Sequence, residues 1–221
     1  MANRLTVSCP SGRIFPRKAL TNQEGLLLEI EFWKGIKGTA FYVDESGQEM
    51  IAGDSKGSLT QFLLGHNRFT CLVKAIEEPG LVFCSGNLLV VASKSGKLSV
   101  FSKSGKQLPT FNPHKHRVKG FDLNYLKKYA LSFSEDCVAI WDLQNWKKVR
   151  NMLAKGPKYT MARFSVDGSS VLTCFDDGKL YRWNLRNNEL ERNFVGSNLY
   201  DFVEVEGDKV LGIGKDQKLY V

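Results

Sequence analysis

No C-x-x-C pair occurs anywhere in the sequence, and its five cysteines (Cys9, Cys71, Cys84, Cys137, Cys174) lie far apart. A zinc site needs paired ligands, which the three histidines, His66, His114 and His116, do not supply, so neither metal nor cofactor is expected. An odd number of dispersed cysteines, mostly inside apolar stretches, fits reduced thiols buried in the strands of a cytoplasmic protein. Long apolar runs are missing too. Runs such as 88–92 are strand-sized, far below the roughly 18 residues of a membrane-spanning helix, so no membrane insertion is expected. Behind Arg4 there is no apolar core of a secretory signal. Gly35-Ile-Lys-Gly38 and Gly212-Ile-Gly214 lack the spacing and the Lys-Ser/Thr ending of a phosphate-binding loop.

What remains is ordinary for a folded domain: 221 residues, 43% hydrophobic and 24% charged. That excludes disorder and permits one sizeable core or two small ones. The net charge of +8 allows acidic partners such as phosphorylated tails, anionic filament surfaces or nucleic acid. Lysine-rich loops that keep a β protein soluble explain it as well.

The informative feature is a repeat. Three segments close on the same figure after a turn: Leu59-Thr-Gln-Phe62, Leu98-Ser-Val-Phe101 and Leu180-Tyr-Arg-Trp183; Val138-Ala-Ile-Trp141 is a fourth. The closing aromatics are 39, 40 and 42 residues apart, close to the period of about 40–45 of four-stranded propeller blades. Upstream of each close runs strand, tight turn, strand, tight turn, strand, the order of a meander. Ser46-Gly47, Lys56-Gly57, Ser85-Gly86, Ser95-Gly96, Asp167-Gly168 and Asp177-Gly178 mark the turns. In the third unit Leu126-Lys-Lys128 and Glu135-Asp136 take their place. These side chains disfavour positive φ, so both turns are expected to be of another type.

The third unit also holds the dipeptide Trp141-Asp142, with His114 upstream followed by Val118, Phe121 and Leu123. It resembles a WD repeat, with Pro113 where that family usually has glycine. The implied fold is all-β: a partial WD-repeat β-propeller of about four and a half four-stranded antiparallel meanders in an open arc. In that family a histidine, a strand serine or threonine, a turn aspartate and the tryptophan form a buried hydrogen-bonded chain. Carried over, these are His114, Ser132, Asp136 and Trp141, with Asp136 one residue nearer the tryptophan than usual. A Ser/His/Asp set invites a hydrolase reading. The serine, however, lies mid-strand with no sharp elbow and no oxyanion hole, and a triad is defined by geometry. No catalytic residue is expected.

The units fall near 38–75, 79–112, 114–155, 159–196 and 199–221. Residues 1–37 stand outside the repeat as a leader, basic and turn-rich at 12–18, with one strand at 25–32 that could close the ring. The fifth unit's closing aromatic belongs at position 222, so the chain reads as a fragment of a longer protein. An open arc leaves sheet faces and an edge uncovered, and the rest of the same chain is the expected partner there.

Several strings go further: Gly12-Arg-Ile-Phe-Pro-Arg-Lys-Ala-Leu with Gly25-Leu-Leu-Leu-Glu-Ile; Ile51-Ala-Gly-Asp-Ser-Lys-Gly57 with Gly65-His-Asn-Arg-Phe69; Ser134-Glu-Asp-Cys-Val-Ala-Ile-Trp-Asp-Leu143; and Leu172-Thr-Cys-Phe-Asp-Asp177. Together they resemble the N-terminal WD-repeat region of a TBC domain family. The resemblance implies a large cytoplasmic protein with this propeller first, then a TBC domain, then coiled coil, associated with the centrosome, centriolar satellites and cilium function. TBC domains act on Rab GTPases, and nothing of that domain lies in these residues.

Two charge features remain. Asp176-Asp177 looks like a paired-carboxylate site, yet it sits where a blade turns, and aspartate is a standard turn former. Lys103, Lys106, Lys115, Arg117 and Lys119 surround one connection between units, and Lys147, Lys148, Arg150, Lys155 and Lys158 the next. They are either solvated loops or a basic rim that docks an acidic protein. The leading expectation is a non-enzymatic protein-interaction scaffold. The alternatives are a WD-repeat subunit of an RNA-processing particle and a substrate-positioning module of a Rab GTPase-activating protein. No aromatic–basic platform for RNA is visible, which makes nucleic acid the weaker partner.

Overall fold

Runs of five to seven β-branched, aromatic and aliphatic residues, cut by Gly, Asp and Ser, are too short for helices and long enough for strands. The computed structural model describes residues 7–9, 12–22, 25–31, 37–44, 48–63, 68–73, 77, 79–85, 87–124, 128–154, 156–187, 189–194, 199–205, 209–214, 216 and 218–221. Among the described residues the regular elements are all strands, and no helix is long and apolar enough to cross a membrane.

Strands β1 (Val7–Cys9), β2 (Gly12–Asn22) and β3 (Gly25–Glu31) form a three-stranded sheet. Four-stranded sheets follow in chain order. The first is β4 (Gly38–Val43), β5 (Glu49–Asp54), β6 (Leu59–Leu63) and β7 (Arg68–Val73). The second is β8 (Pro79–Ser85), β9 (Leu88–Ser93), β10 (Leu98–Ser102) and β11 (Gln107–Phe111). The third is β12 (Gly120–Asn124), β13 (Tyr129–Phe133), β14 (Cys137–Asp142) and β15 (Lys148–Leu153). The fourth is β16 (Tyr159–Phe164), β17 (Ser170–Phe175), β18 (Leu180–Asn184) and β19 (Leu190–Phe194). A last sheet holds β20 (Leu199–Val205), β21 (Lys209–Gly214) and β22 (Leu219–Tyr220). Each strand pairs antiparallel with its neighbour in sequence, as the repeat requires.

Phe62, Phe101, Trp141 and Trp183 each stand one residue before the end of the third strand of their sheet, where the period puts them. Two details differ from the sequence reading. The leader has three strands, not one, and β3 pairs with β2 instead of standing alone. Its basic stretch is extended because alternation, not polarity, decides a strand. In the third unit Lys128 does take a positive φ, 59°. Its carbonyl accepts the Leu143 amide at 2.9 Å, and that bond helps hold the left-handed turn. Leu126 lies outside the described residues. Glu135 and Asp136 keep negative φ in a turn closed by Ser134 N–H donating to Cys137 O at 2.9 Å.

The chain divides into two compact units, Met1–Lys94 with Leu98–Phe111, and Ser95–Lys97 with Asn112–Val221. In the first unit the core joins the first two four-stranded sheets through Ile51, Leu59, Val82, Cys84, Leu89, Val91 and Phe101. In the second unit Leu131, Phe133, Val138 and Ile140 pack against Tyr159, Ala162, Phe164, Val171 and Phe175 of the next sheet. Leu172, Cys174 and Leu180, on that sheet's other face, meet Leu199, Phe202 and Val210 of the last. Each buried aliphatic side chain contributes about 1.5–3 kcal/mol, so the fourth sheet is held from both sides.

The turn between β16 and β17 docks on β12. Asn124 Nδ2 donates to Gly168 O at 2.8 Å, and Gly168 has φ +67°. A Cβ there would lie 2.4 Å from Asn124 Nδ2. Gly168→Ala is expected to lower stability by about 1–3 kcal/mol through strain and displacement of that amide. A denaturation midpoint equal to that of the parent chain would show that the turn is not so constrained.

Candidate functional site

A tryptophan that closes a buried strand brings an indole N–H that needs an acceptor. Trp141 Nε1 donates to Ser132 Oγ at 3.1 Å, and Ser132 lies two residues along β13 from Ala130, the cross-strand partner of Trp141. The same serine oxygen is 2.7 Å from His114 Nε2. His114 Nδ1 is 3.0 Å from Ser134 Oγ and 3.0 Å from Cys137 Sγ, and Ser134 Oγ donates in turn to Asp136 Oδ1. The structure therefore brings His114, Ser132 and Trp141 into direct contact. Asp136 reaches the histidine through Ser134, a residue the sequence reading did not include. The shortened turn before the tryptophan explains the relay: it holds the aspartate at Ser134, and the serine spans the gap. The next sheet repeats the device more simply, with Trp183 Nε1 donating to Thr173 Oγ1 at 2.8 Å, again two residues from the cross-strand partner, Val171. In the first two sheets phenylalanine closes the strand and needs no acceptor; Ala52 and Val91 occupy the corresponding positions.

This cluster has little scope for chemistry. Ser132 is fully buried and shared between an imidazole and an indole. Burial pushes His114 down to about 4, with the nearby Asp136 opposing and Lys148 assisting, so the ring is neutral at pH 7. His114, Asp136 and Cys137 place three potential ligand atoms within 4.8 Å of one another. Hydrogen bonds already engage each of them, and burial raises the Cys137 thiol above its ordinary value, away from the thiolate a cation would take. Cys84, Cys137 and Cys174 are all buried free thiols. Asp177 serves its turn, Oδ1 accepting the Lys179 amide at 3.1 Å, while Asp176 Oδ1 accepts the Lys158 amide at 3.0 Å and ties the turn to the segment before β16.

A second polar centre, not anticipated from the sequence, surrounds Arg182 on β18. Its guanidinium meets Glu204 of β20 at 3.0 Å, Glu191 at 3.4 Å and Asp167 at 3.7 Å. Burial pushes Asp167 up, but hydrogen bonds from Ser165 and Ser169 together with Arg182 outweigh it and hold the group at about 2. The cation sits in the Leu-x-Arg-Trp close, and its period is the only signal that could have marked it.

The basic residues fall into different situations. Lys103 is engaged by Glu49, which also accepts Gln61 Nε2 at 2.7 Å, so it is a fixed ion pair more than a docking cation. Lys106 is exposed, as are Lys115, Arg117, Lys119, Lys147 and Lys148. Lys119 Nζ donates to Tyr159 O at 3.0 Å, and Arg150 Nη2 to Arg186 O at 3.4 Å. Lys158 pairs with Glu135 at 3.1 Å. Lys155 lies outside the described residues.

No family model matches the chain. By sequence it is similar to TBC1 domain family member 31 of Xenopus tropicalis (25% identical over 187 residues, 78% of this chain and 17% of the relative), of Mus musculus (25% over 188 residues, 78% and 19%) and of Homo sapiens (25% over 193 residues, 78% and 17%). The chain thus spans less than a fifth of the length of these curated relatives. The fold is similar to a chain of the mitotic checkpoint complex crystal structure (TM-score 0.75, 12% identity, 99% of this chain and 68% of that one). It is also similar to the computationally designed Ika8 protein (TM-score 0.70, 15% identity, 97% and 68%). These structural likenesses carry the fold alone: an all-β, propeller-type series of four-stranded antiparallel sheets.

Two outcomes follow from the clasp. Trp141→Ala should lose about 3–5 kcal/mol of stability, from the cavity and from a serine hydroxyl left short of a donor. For pH the sign is fixed by the lowered histidine. Between its ordinary 6.5 and about 4 the unfolded chain takes up a proton that folded His114 refuses, so stability falls as pH falls through that window. The full loss is about 3 kcal/mol, from roughly 1.4 kcal/mol per pH unit. His114→Gln, which cannot titrate, should flatten this limb in denaturant titrations at stepped pH. A limb that persists in the variant would assign the loss to other groups.

Proposed function

We propose that this chain is a non-enzymatic protein-interaction scaffold, the N-terminal WD-repeat part of a larger cytoplasmic protein of the centrosome and centriolar satellites that serves cilium function. The similarity to TBC1 domain family member 31 across 78% of the chain carries this reading, joined to a fold of repeated sheets with exposed outer strands. The His114–Ser132–Trp141 clasp supports the non-enzymatic part, because its reactive groups are spent on one another. Since the relatives carry TBC1 domain in their name, positioning a Rab GTPase for such a domain elsewhere in the chain is the second reading.

Two kinds of partner follow. One is further sheet from the same longer chain. Leu211, Ile213 and Leu219 of the last sheet hold the register positions that Leu172, Cys174 and Leu180 hold in the fourth. There Leu180 is 1% exposed under the next sheet, whereas Leu219 is 74% exposed, a face suited to the same kind of cover. The other is a protein with acidic surface, met by Lys106, Lys115, Arg117, Lys119, Lys147, Lys148 and Arg150.

Changing Lys106, Lys115, Lys147 and Lys148 together to glutamate should alter stability by no more than about 1 kcal/mol, because exposed charges contribute little. Recruitment of the tagged chain to centrosomes and satellites, followed by imaging and proximity labelling, should fall. Unchanged recruitment would leave these lysines as solubilising loops. Retention on RNA that weakens by orders of magnitude between about 50 and 200 mM salt would favour the RNA-particle alternative.

A further inference from the structure

Within the second unit a groove of ≈ 670 Å³ runs between β15 and the fourth sheet. Met152, Leu153 and Pro157 line one side, Tyr181, Trp183 and Leu190 the other, and Tyr159 and Phe175 the floor. The rings form a continuous row, with centroids 4.5 Å apart from Tyr159 to Phe175, 5.5 Å on to Tyr181 and 6.0 Å on to Trp183. At its lips Leu153 is 62% and Leu190 48% exposed, large for side chains flanking an apolar floor. The charged lining residues, Asp177 and Lys179, pair with each other at 3.1 Å. Beside the groove, residues 147–158 contain five lysines or arginines and no aspartate or glutamate. Strand β15, inside that stretch, is the outer strand of its sheet.

We infer that this groove binds an extended acidic peptide, seating one aliphatic or aromatic side chain between Leu153 and Leu190 and its carboxylates against Lys147, Lys148 and Arg150. The inference rests on the scaffold reading and gives it a partner chemistry. An apolar slot beside an outer strand suits peptide addition, in which the strand edge supplies direction and the pocket supplies selectivity. With Lys158 paired to Glu135, the cations Lys147, Lys148 and Arg150 set the sign of the partner. Nucleic acid fits less well. Stacking needs an open ring face, whereas Tyr159 and Phe175 are buried to within 2% and 8% of their surface.

Selection from a displayed library of random ten-residue peptides on the intact 221-residue chain tests this. Enriched sequences should combine several Asp or Glu with at least one Leu, Ile, Phe or Trp. Their synthetic versions, read by fluorescence anisotropy, should bind about tenfold or more weakly to the Leu153→Glu/Leu190→Glu variant, as loss of an apolar anchor does. They should weaken similarly with Lys147→Glu/Lys148→Glu, and bind unchanged to Lys56→Glu, an exposed lysine outside the docking set. Circular dichroism and melting of each variant should match the parent, since every altered side chain is exposed. Neutral or basic enriched peptides, binding that ignores the Leu153/Leu190 pair, no enrichment at all, or displacement by a ten-nucleotide oligouridine at equal concentration would each overturn the groove. None of these touches the scaffold reading, which stands or falls on recruitment of the chain in cells.

Discussion

Burying a tryptophan at the close of a strand is favourable only if its indole N–H is not left without an acceptor, and the third and fourth sheets are arranged around that requirement. A lost hydrogen bond in the interior costs about 1–3 kcal/mol, comparable to the gain from burying a whole aliphatic side chain. The acceptor must therefore come from a fixed place, and the antiparallel ladder provides one: the side chain two residues along the neighbouring strand, on the same face. Ser132 and Thr173 stand there. Once Ser132 accepts from Trp141, the same oxygen makes a second hydrogen bond with His114 Nε2, and the histidine's other nitrogen meets Ser134. One indole thus orients a segment, 114–119, that belongs to no strand. Phenylalanine at the same position in the first two sheets makes no such demand.

Cohesion between sheets changes character along the second unit. Between the third and fourth sheets it is mainly apolar, with Leu131, Phe133, Val138 and Ile140 packed on Tyr159, Ala162, Phe164, Val171 and Phe175. Between the fourth and last it is divided between a small apolar cluster and the Arg182–Glu204 pair. A buried ion pair is weak support compared with well-packed aliphatics, but removing one partner leaves the other charged and desolvated. Arg182 avoids that imbalance by meeting Glu191 and Asp167 as well. The outcome is a contact more specific in register than strong in energy.

The sequence made the repeat legible because a strand's period of two and a blade's period of about forty both print directly onto residue types. The closes at Phe62, Phe101, Trp141 and Trp183 and the meander order could be read from those two rhythms, and most of the clasp from the resemblance to a WD repeat. Other features could not, for identifiable reasons. β2 carries Arg13, Arg17 and Lys18 in a strand, and polarity disguised its alternation as a turn. Lys128 was assigned negative φ by residue type, whereas the Leu143 bond to its carbonyl settles the turn. Ser134 is one of many serines, and only the missing length of its turn makes it a relay. Lys103 looked like a loop cation because its partner Glu49 is 54 residues away, a distance at which no local pattern reports pairing. Contacts between sheets, such as Arg182 with Glu204, share this property.

The same separation governs how such a molecule can recognise partners. Cations on outer strands and loops act at range: they raise the rate of encounter and carry most of the salt dependence, while contributing little once a partner is seated. An apolar slot acts only on contact and sets how long the partner stays. In this chain the two are adjacent but chemically distinct, with lysines and arginines along 147–158 and leucine, tyrosine and tryptophan in the groove beside them. The exposed cations and the lip leucines, Leu153 and Leu190, can vary without disturbing the residues that keep the sheets closed, whereas Trp183 both lines the groove and closes its own strand through Thr173. Edge strands exposed by the repeat would ordinarily invite indiscriminate pairing. Positive charge along β15 counters that by repelling cationic edges, including a second copy of itself, while admitting acidic ones. On the proposed reading, the charge that opposes self-pairing of this edge is also the one that would select an acidic partner.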